Sequence, residues 1–415
     1  AILAANDKMS NDRLKAFMLV GELSLDGTLQ PVKGVLPIAI KARADKFQGI
    51  IVPKANEHEA AVVDTLEVYG MDNILQVIDF LNGTSNPEPC FVDTRKEFYE
   101  HQYAFDLDFA DVRGQENVKR ALEVAAAGGH NVFLIGDPGS GKSMLAKRFN
   151  TILPEMPEEE IIETTKIYSI SGMLSQNEPI IRKRPFRAPH YSATQVALVG
   201  GANRVGEITL ALNGVFFLDE IGEFEGKTLE TLRQPLEDGK IVISRANFSV
   251  TYPVKNITIT ASNPTPSGYF PDNPLCSDSL KEIKRYQKKF SGPLLDRMDL
   301  YVEMHQLKKD EIFDESLSEK SKDIQERVIK AREIQKQRFN SNTLNRDMNK
   351  KQLNKYCKID KESQEIMKAA IDNLKLSVRM FDKILKISRT IADLDGQENI
   401  KKEHLLEALN YRKKQ

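Results

Sequence analysis

The chain has 415 residues, of which 40% are hydrophobic and 29% are charged, so it can form two or three packed domains with a polar surface. No run of about 18 apolar residues is present, which excludes a membrane-spanning helix. Cys90, Cys276 and Cys357 are too scattered for a disulfide framework, and no signal peptide is visible, so we expect a reducing, cytoplasmic location.

Charge is unevenly distributed along the chain. The net charge is −1, but residues 321–415 contain 23 Lys and Arg against 14 Asp and Glu, a local excess of +9. A solvated helical surface and a basic module for a polyanion explain this excess equally well.

The first 84 residues predict a small α/β domain. Residues 21–34 predict a β-hairpin around Asp26-Gly27, and a helix at 35–46 and a strand at 49–53 follow. The opening residues AILAAN are typical of the end of a helix, so we expect this domain to be truncated at its N-terminus. Residues 85–104 have no clean period and predict a linker.

The rest of the chain predicts an α/β core followed by helices. Residues 105–304 alternate helices and strands, which is typical of a mostly parallel sheet. Residues 305–415 are helical, and an apolar side chain recurs there at steps of three or four. The residues of this stripe are Met380, Ile384, Ile387, Ile391 and Leu394.

The strongest motif is G-x-x-x-x-G-K-[ST], between an apolar strand at 132–135 and a helix-forming run. Its residues are Gly136, Asp137, Pro138, Gly139, Ser140, Gly141, Lys142 and Ser143. The glycines allow backbone N–H groups to converge on phosphate oxygens at a helix N-terminus. We expect Lys142 to reach the β- and γ-phosphates and the Ser143 hydroxyl to ligate Mg²⁺.

Two further apolar strands end in polar residues that suit the same chemistry. The strand at 215–218 ends in Asp219 and Glu220, so one carboxylate can hold the magnesium ion and the other can polarise the attacking water. The strand at 257–261 precedes Asn263, which either orients that water or merely begins a turn.

Five longer segments keep a fixed order along nearly the whole chain. They are VRGQENVKRALEVAAAGGHNVFLIGDPGSGKS, RPFRAPHYSATQVALVGG, GEITLALNGVFFLDE, LRQPLEDGKIVISR and SGPLLDRMDL. Together they resemble the magnesium-chelatase-like AAA+ ATPases, and within them the ComM (YifB) group. The resemblance implies a P-loop AAA+ core, ATP with Mg²⁺ as cofactors, and a homo-hexamer with ATP sites at subunit boundaries.

The resemblance also implies a role for each matching residue in the core. Lys142 and Ser143 match the Walker A pair, and Asp219 and Glu220 match Walker B, with Glu220 as the general base. Asn263 matches sensor 1.

Other matches lie outside these three strand ends. Arg297 matches an arginine finger that acts on a neighbouring subunit and is worth about 10³–10⁵ in rate, although its flanking aspartates leave a buried ion pair as the alternative. Arg379 matches sensor 2 of the helical lid, and the segment containing Val112 and Gln115 resembles the part that borders the adenine.

Two segments resemble loops that grip DNA in the pore of related ring helicases. They are the helix-2 insertion at 182–209 and the pre-sensor-1 hairpin at 239–256. The candidate phosphate-binding cations are Arg182, Lys183, Arg184, Arg187, Arg204, Lys240 and Arg245. Tyr191 and Phe186 are candidates for stacking on bases, with ordinary surface charges and core aromatics as the alternative.

The resemblance divides the chain into a Lon-protease-like domain at 1–84, the linker at 85–104, an AAA+ core at 105–304 and a helical lid at 305–415. Leu36 occupies the position of the Lon lysine, so we expect the first domain to be proteolytically inactive. Cys276 stands alone where many relatives carry four cysteines, so we expect no structural zinc.

The resemblance implies a hexameric DNA helicase that uses ATP to drive branch migration in recombination and natural transformation. Two alternatives stay open: a magnesium-chelatase motor subunit and a protein-remodelling AAA+ regulator. The Lon-like segment argues against the chelatase motor, and stimulation of hydrolysis by peptides rather than by DNA would favour the regulator.

Overall fold

The computed structural model describes residues 11–92, 106–175, 178–201, 204–244, 249–290, 294–307 and 318–412. The described residues form two compact units, one from 1–104 with 155–183 and the other from 105–154 with 184–415. The domain boundaries predicted from the sequence keep 155–183 within the ATPase core, whereas the contacts of this segment group it with the first unit. Much of the predicted linker, residues 93–104, lies outside the described ranges.

The regular elements are numbered in chain order. The β-strands are β1 (Phe17–Leu19), β2 (Glu22–Leu23), β3 (Leu29–Gln30), β4 (Gly49–Pro53), β5 (Glu67–Met71), β6 (Val132–Gly136), β7 (Phe186–Arg187), β8 (Gly200–Gly201), β9 (Arg204–Val205), β10 (Val215–Leu218), β11 (Lys240–Ser244), β12 (Ser249–Pro253), β13 (Ile257–Ser262) and β14 (Leu300–Met304). The α-helices are α1 (Asn11–Leu14), α2 (Val35–Ala44), α3 (Glu57–Ala60), α4 (Ile74–Leu81), α5 (Glu116–Gly128), α6 (Lys142–Arg148), α7 (Glu158–Ser171), α8 (Gln195–Val199), α9 (Glu207–Leu210), α10 (Gly226–Glu230), α11 (Arg233–Asp238), α12 (Leu280–Phe290), α13 (Ser321–Phe339), α14 (Lys350–Tyr356), α15 (Lys361–Leu374), α16 (Val378–Leu394) and α17 (Lys402–Asn410). Short 3₁₀ turns occupy Lys54–Asn56, Phe109–Asp111, Phe149–Ile152, Ile221–Glu223, Leu295–Arg297 and Asn345–Asp347.

The first unit contains a parallel sheet in the order β1-β4-β5 and the antiparallel hairpin β2–β3, which confirms the predicted turn at 26–27. Helix α7 packs against α2, and the backbone N–H of Gly34 donates to the Ser169 carbonyl at 3.1 Å. Glu59 Oε1 accepts from the Ser169 hydroxyl at 2.6 Å and from the Leu36 N–H at 3.0 Å. Leu36 itself is buried in the apolar core of this unit.

The second unit is built on a five-stranded sheet in the order β14-β6-β13-β10-β7, with every neighbouring pair parallel. Its strands are buried on both faces, which explains why they appear in the sequence as continuous apolar runs. Phe217 packs with α5 and the helices of the lid, whereas its neighbours Phe216 and Leu218 pack on the opposite face. This architecture confirms the predicted α/β AAA+ core.

The C-terminal helices also follow the sequence pattern. The predicted apolar stripe lies on α16, where Ile384, Ile387 and Ile391 are buried against α5 and α13. No helix within the described ranges is long and apolar enough to cross a membrane.

A buried polar network fixes the helical lid around Asp393, which has no exposed surface. The Asp393 carboxylate accepts hydrogen bonds from Arg338 at 2.7 Å, from Asn345 at 2.8 Å and from Arg389 at 3.1 Å. Arg389 is itself 2% exposed, so its charge depends on this single carboxylate and on nearby carbonyl oxygens.

Replacing Asp393 with alanine is expected to lower the free energy of unfolding by about 3–5 kcal/mol, because two buried guanidinium groups lose their counter-charge. Urea denaturation followed by circular dichroism measures the loss. The control is Lys402→Gln, which breaks the exposed pair with Glu362 and is expected to have a much smaller effect, because water screens exposed ion pairs. Equal losses in the two variants would contradict this account of the network.

Candidate nucleotide-binding site

The predicted phosphate-binding loop joins the carboxyl end of β6 to the first residue of α6. Gly139 and Gly141 have φ angles of 74° and 94°, a left-handed conformation that residues with a Cβ adopt only with strain. No atom lies within 4 Å of the position that a Cβ would take at either glycine, so backbone conformation rather than crowding requires glycine there. The loop therefore has an open backbone conformation whose N–H groups can surround phosphate oxygens.

Lys142 lies at the centre of this loop. Its Nζ donates to the carbonyl oxygens of Gly136 at 2.6 Å and Asp137 at 2.9 Å, and to Asn263 Oδ1 at 3.1 Å. The contact with Asn263 joins the ends of β6 and β13, which are neighbours in the sheet. Burial lowers the pKa of Lys142, against the opposing effect of nearby carboxylates.

Ser143 and the end of β10 form the second contact across this edge. The Ser143 hydroxyl donates to Asp219 Oδ2 at 2.6 Å. A hydroxyl and a carboxylate oxygen side by side are suitable ligands for the Mg²⁺ that accompanies a nucleotide. Glu220 follows with an exposed side chain and a left-handed backbone at φ 49°. The residues present therefore fit a magnesium–nucleotide complex.

The segment before α5 borders the same loop. Gln115 Nε2 donates to the His305 carbonyl at 2.8 Å and to the Ser140 carbonyl at 3.4 Å. The Ser140 hydroxyl is buried and has no hydrogen-bond partner among the described residues. Val112 is buried, and its carbonyl accepts from the Ser318 hydroxyl at 2.9 Å.

Sequence reasoning missed three residues at this edge. The Phe270 N–H donates to Asp137 Oδ1 at 3.0 Å, and the Phe270 ring stacks on His305 with ring centroids 4.7 Å apart. Gln306 Nε2 donates to the Pro138 carbonyl at 3.1 Å. His305 and Gln306 follow the end of β14, so the rule that ligand-binding residues follow the carboxyl ends of parallel strands would have identified them.

Arg297 lies at the opposite edge of the sheet from Lys142. Its carbonyl accepts from Asn131 Nδ2 at 3.2 Å, next to the amino end of β6, and about 13 Å separates the two ends of that strand. The guanidinium forms an ion pair with Glu237 of α11, while its Nε is buried without a partner among the described residues. The Arg297 side chain is therefore engaged by α11, and its backbone lies at the amino end of β6 rather than at the carboxyl end that carries the phosphate-binding loop.

Arg379 lies near the Arg297 segment. It is exposed on α16, one helical turn before Lys383. Lys383 Nζ donates to the carbonyl oxygens of Asp296 at 2.6 Å and Met298 at 2.7 Å, on both sides of Arg297. Arg379 therefore lies on the helix whose following turn contacts the segment that carries Arg297.

Two of the predicted DNA-binding arginines stabilise the core instead. Arg184 donates to the carbonyl oxygens of Pro154 at 2.6 Å and Asn213 at 2.5 Å. Arg187 forms an ion pair with Glu207 at 2.7 Å. Arg184 and Arg187 therefore already have acceptors within the fold, and their predicted contact with DNA stays a prediction.

The other predicted DNA-contacting residues include both packed and exposed side chains. Phe186 packs against Phe217 with ring centroids 5.9 Å apart, so it is a core aromatic and cannot stack on bases, whereas Tyr191 is 42% exposed. Burial lowers the pKa of the Arg182 guanidinium, and Arg245 lies outside the described residues. The exposed cations of these segments are Lys183, Arg204 and Lys240.

Cys276 lies on the loop between β13 and α12. Its Sγ is 3.8 Å from the Ser267 hydroxyl and 3.9 Å from Asp278 Oδ2. Within the described ranges, no three His, Cys, Asp or Glu side chains are grouped so that they could hold a metal. The expectation of no structural zinc stays a prediction.

Comparison with known proteins assigns a family to this arrangement. Residues 108–312 match the family described as magnesium chelatase, subunit ChlI, residues 318–412 match its C-terminal family, and residues 1–56 match the family of subunit ChlI of Mg-chelatase. Competence protein ComM of Haemophilus influenzae is 42% identical over 99% of this chain and 80% of its own length. The uncharacterized protein YifB of Escherichia coli is 39% identical over 99% of this chain and 80% of its own length. DNA replication licensing factor MCM2 of Arabidopsis thaliana is 25% identical over 50% of this chain and 21% of its own length.

The lowered pKa of Lys142 predicts a pH dependence of nucleotide binding. The ammonium group attracts phosphate and the neutral amine does not, so affinity should fall as pH rises, beginning below the ordinary lysine pKa of about 10.4. Titration of a fluorescent ATP analogue across alkaline pH measures the effect. Lys142→Met should bind more weakly, by about 1.5–3 kcal/mol, with little dependence on pH. A wild-type affinity that is constant up to about pH 10 would contradict the prediction.

Proposed function

The chain belongs to the magnesium chelatase subunit ChlI family, together with the ComM and YifB proteins, and on that premise we propose that it is an ATP-driven DNA motor. Membership makes it an AAA+ ATPase that uses a nucleotide and Mg²⁺. The motor is a cytoplasmic hexameric helicase that promotes branch migration in recombination and natural transformation. The observation that carries this proposal is the convergence of Lys142, Ser143, Asp219 and Asn263 at one edge of the sheet.

Each residue at this edge has a separate role in the proposed ATP hydrolysis. The loop N–H groups and Lys142 bind the β- and γ-phosphates, and Ser143 and Asp219 would hold a magnesium ion, which would neutralise phosphate charge. Asn263 orients a water molecule in line with the γ-phosphorus, and the Glu220 carboxylate accepts its proton. The new P–O bond forms as the bond to the bridging β–γ oxygen breaks, which releases ADP and phosphate.

The position of Arg297 supports assembly into a ring. Because Arg297 and Arg379 lie at the edge opposite the phosphate-binding loop, they act on the nucleotide of a neighbouring subunit. For this role, the Arg297 guanidinium must leave its ion pair with Glu237 and bind the γ-phosphate of the neighbouring subunit's nucleotide. Each site in the homo-hexamer is complete only when two subunits meet.

DNA binds through the loops that the resemblance identified, although with fewer residues than expected. Lys183, Arg204, Lys240 and Tyr191 are exposed and remain candidates for phosphate contacts and base stacking. The name of the MCM2 relative, a DNA replication licensing factor, supports DNA as the substrate that is moved. The Lon-protease-like domain at 1–84 serves as an inactive interaction module, and the helices from 305 onward serve as the lid.

A magnesium-chelatase motor is the second candidate, because the family descriptions name that enzyme. Such a motor would hydrolyse ATP in response to a chelatase partner and a porphyrin. The two functions therefore differ in what stimulates hydrolysis, which makes the stimulating ligand the decisive measurement.

The proposed function is tested by ATPase assays with and without single-stranded and forked DNA across a salt series, together with unwinding of a three-stranded junction. We expect DNA to stimulate hydrolysis at low salt and the stimulation to fall as salt rises, because phosphate contacts release counterions. Glu220→Gln is the control, since it should bind ATP without hydrolysing it. Hydrolysis that no DNA changes at low salt would overturn the motor proposal.

Arg297→Ala tests whether sites are shared between subunits. The variant should assemble yet hydrolyse ATP about 10³- to 10⁵-fold more slowly, as expected for loss of an arginine finger. Mixing it with Lys142→Ala subunits should restore part of the activity, since some interfaces then combine an intact Lys142 with an intact Arg297. Failure of every mixing ratio to restore activity would show that Arg297 does not act across an interface.

A further inference from the structure

Helix α12 carries an unusual concentration of positive charge. Its eleven residues, LKEIKRYQKKF, include five Lys or Arg and one acidic residue, Glu282. Glu282 is already engaged, because it accepts from the backbone N–H of Ser279 at 2.9 Å and from the Ser279 hydroxyl at 2.7 Å. All five cations are exposed: Lys289 donates to a backbone carbonyl, and the other four are Lys281, Lys284, Arg285 and Lys288.

None of these four cations forms an ion pair with a carboxylate in the part of the chain that the structure describes. They follow one another at steps of three, one and three residues, so they form one stripe about 10 Å long on the helix surface. Like charges at such spacings destabilise an isolated helix, and other helices of this chain interleave acidic residues, as α13 does with Asp323, Glu326 and Glu333. The stripe therefore has the charge pattern of a surface that binds a polyanion.

The opposite face of α12 is apolar and is buried within the protein. Ile283 and Tyr286 are each 7% exposed and pack toward the turn that follows Glu220. An amphipathic helix that binds a bilayer must offer its apolar face to lipid, so burial of this face argues against a membrane surface. A phosphate backbone, by contrast, needs only the exposed cations.

The buried face also reaches the catalytic edge of the sheet. Lys289 Nζ donates to the Gly222 carbonyl at 3.1 Å, and a Cβ at Gly222 would lie 2.3 Å from the Tyr286 hydroxyl. Burial raises the pKa of Tyr286, a hydrogen bond with Ser262 opposes the rise, and the carboxylates of Glu223 and Glu220 reinforce it. Tyr286 thus lies between the turn that carries Glu220 and Ser262, the residue before Asn263.

We propose that α12 binds the phosphate backbone of DNA through Lys281, Lys284, Arg285 and Lys288, and couples that binding to the Glu220 turn through Tyr286 and Lys289. The proposal rests on the DNA-motor function and adds a contact outside the two loops already considered. Tyr286 and Lys289 are positioning residues, since they touch the turn and the end of β13 rather than the substrate.

The DNA-binding half is tested with the triple variant K281Q/K284Q/K288Q and a fluorescent oligothymidine, by anisotropy across a salt series. The variant should bind more weakly, and the slope of log affinity against log salt should decrease by about 2, at roughly 0.7 for each lost phosphate contact on a single strand. Hydrolysis without DNA should equal that of wild type. The matched control is K322Q/K330Q/K336Q on α13, which removes the same charge from exposed lysines and should leave binding unchanged.

Unchanged DNA affinity in the α12 variant, or equal weakening in both variants, would overturn α12 as a specific phosphate contact. If the wild-type protein binds DNA through other residues, the proposed DNA-motor function still holds while the α12 contact does not. Failure of the α12 proposal can therefore be distinguished from failure of the proposed function. Wild-type protein that binds no DNA at low salt would overturn both.

The coupling half is tested with Tyr286→Phe and Lys289→Gln, which retain most of the packing. Each should keep wild-type DNA affinity and KM for ATP, yet lose several-fold of the increase in kcat that DNA produces. Lys289→Arg should retain the increase, because its guanidinium can still donate to the Gly222 carbonyl. Normal stimulation in both Tyr286→Phe and Lys289→Gln would overturn the coupling.

Discussion

The candidate site depends on one constraint: parallel strands deliver their carboxyl ends to the same edge of a sheet. Because β6, β13 and β10 are neighbours, the residues that follow them meet without any long loop having to be placed. The hydrogen bonds from Lys142 to Asn263 at 3.1 Å and from Ser143 to Asp219 at 2.6 Å result directly from this order. The proposed hydrolysis requires that these residues lie side by side, as the contacts show.

Much of this arrangement could be predicted from the sequence, because its signals are local. The apolar runs at 132–135 and 215–218 are strands in the structure, and the glycine motif lies between a strand and a helix as expected. The order of strands in the sheet has no local signal, because it depends on which distant segments pair. The roles of Glu220, Arg297 and Arg379 stay predictions, because geometry alone does not show which group transfers a proton or contacts a neighbour.

The features that the sequence did not predict concern long-range partners. Arg184 and Arg187 appear in the sequence as a basic cluster, but acceptors distant in sequence, the carbonyls of Pro154 and Asn213 and the carboxylate of Glu207, engage both side chains. Helix α7 joins the first unit through contacts such as the one between Gly34 and Ser169, which are 135 positions apart. Composition and spacing cannot show such pairings, because they depend on which distant segments the fold brings together.

The anchoring of Lys383 has a mechanical consequence. Its ammonium group holds the carbonyls on both sides of Arg297, and it also lies 3.2 Å from the buried carboxylate of Asp299. These contacts join helix α16 to the turn that carries Arg297. A rotation of the helix would therefore also move the Arg297 side chain. Such rigid linkage would let the helical region of one subunit set the timing of a reaction in the next.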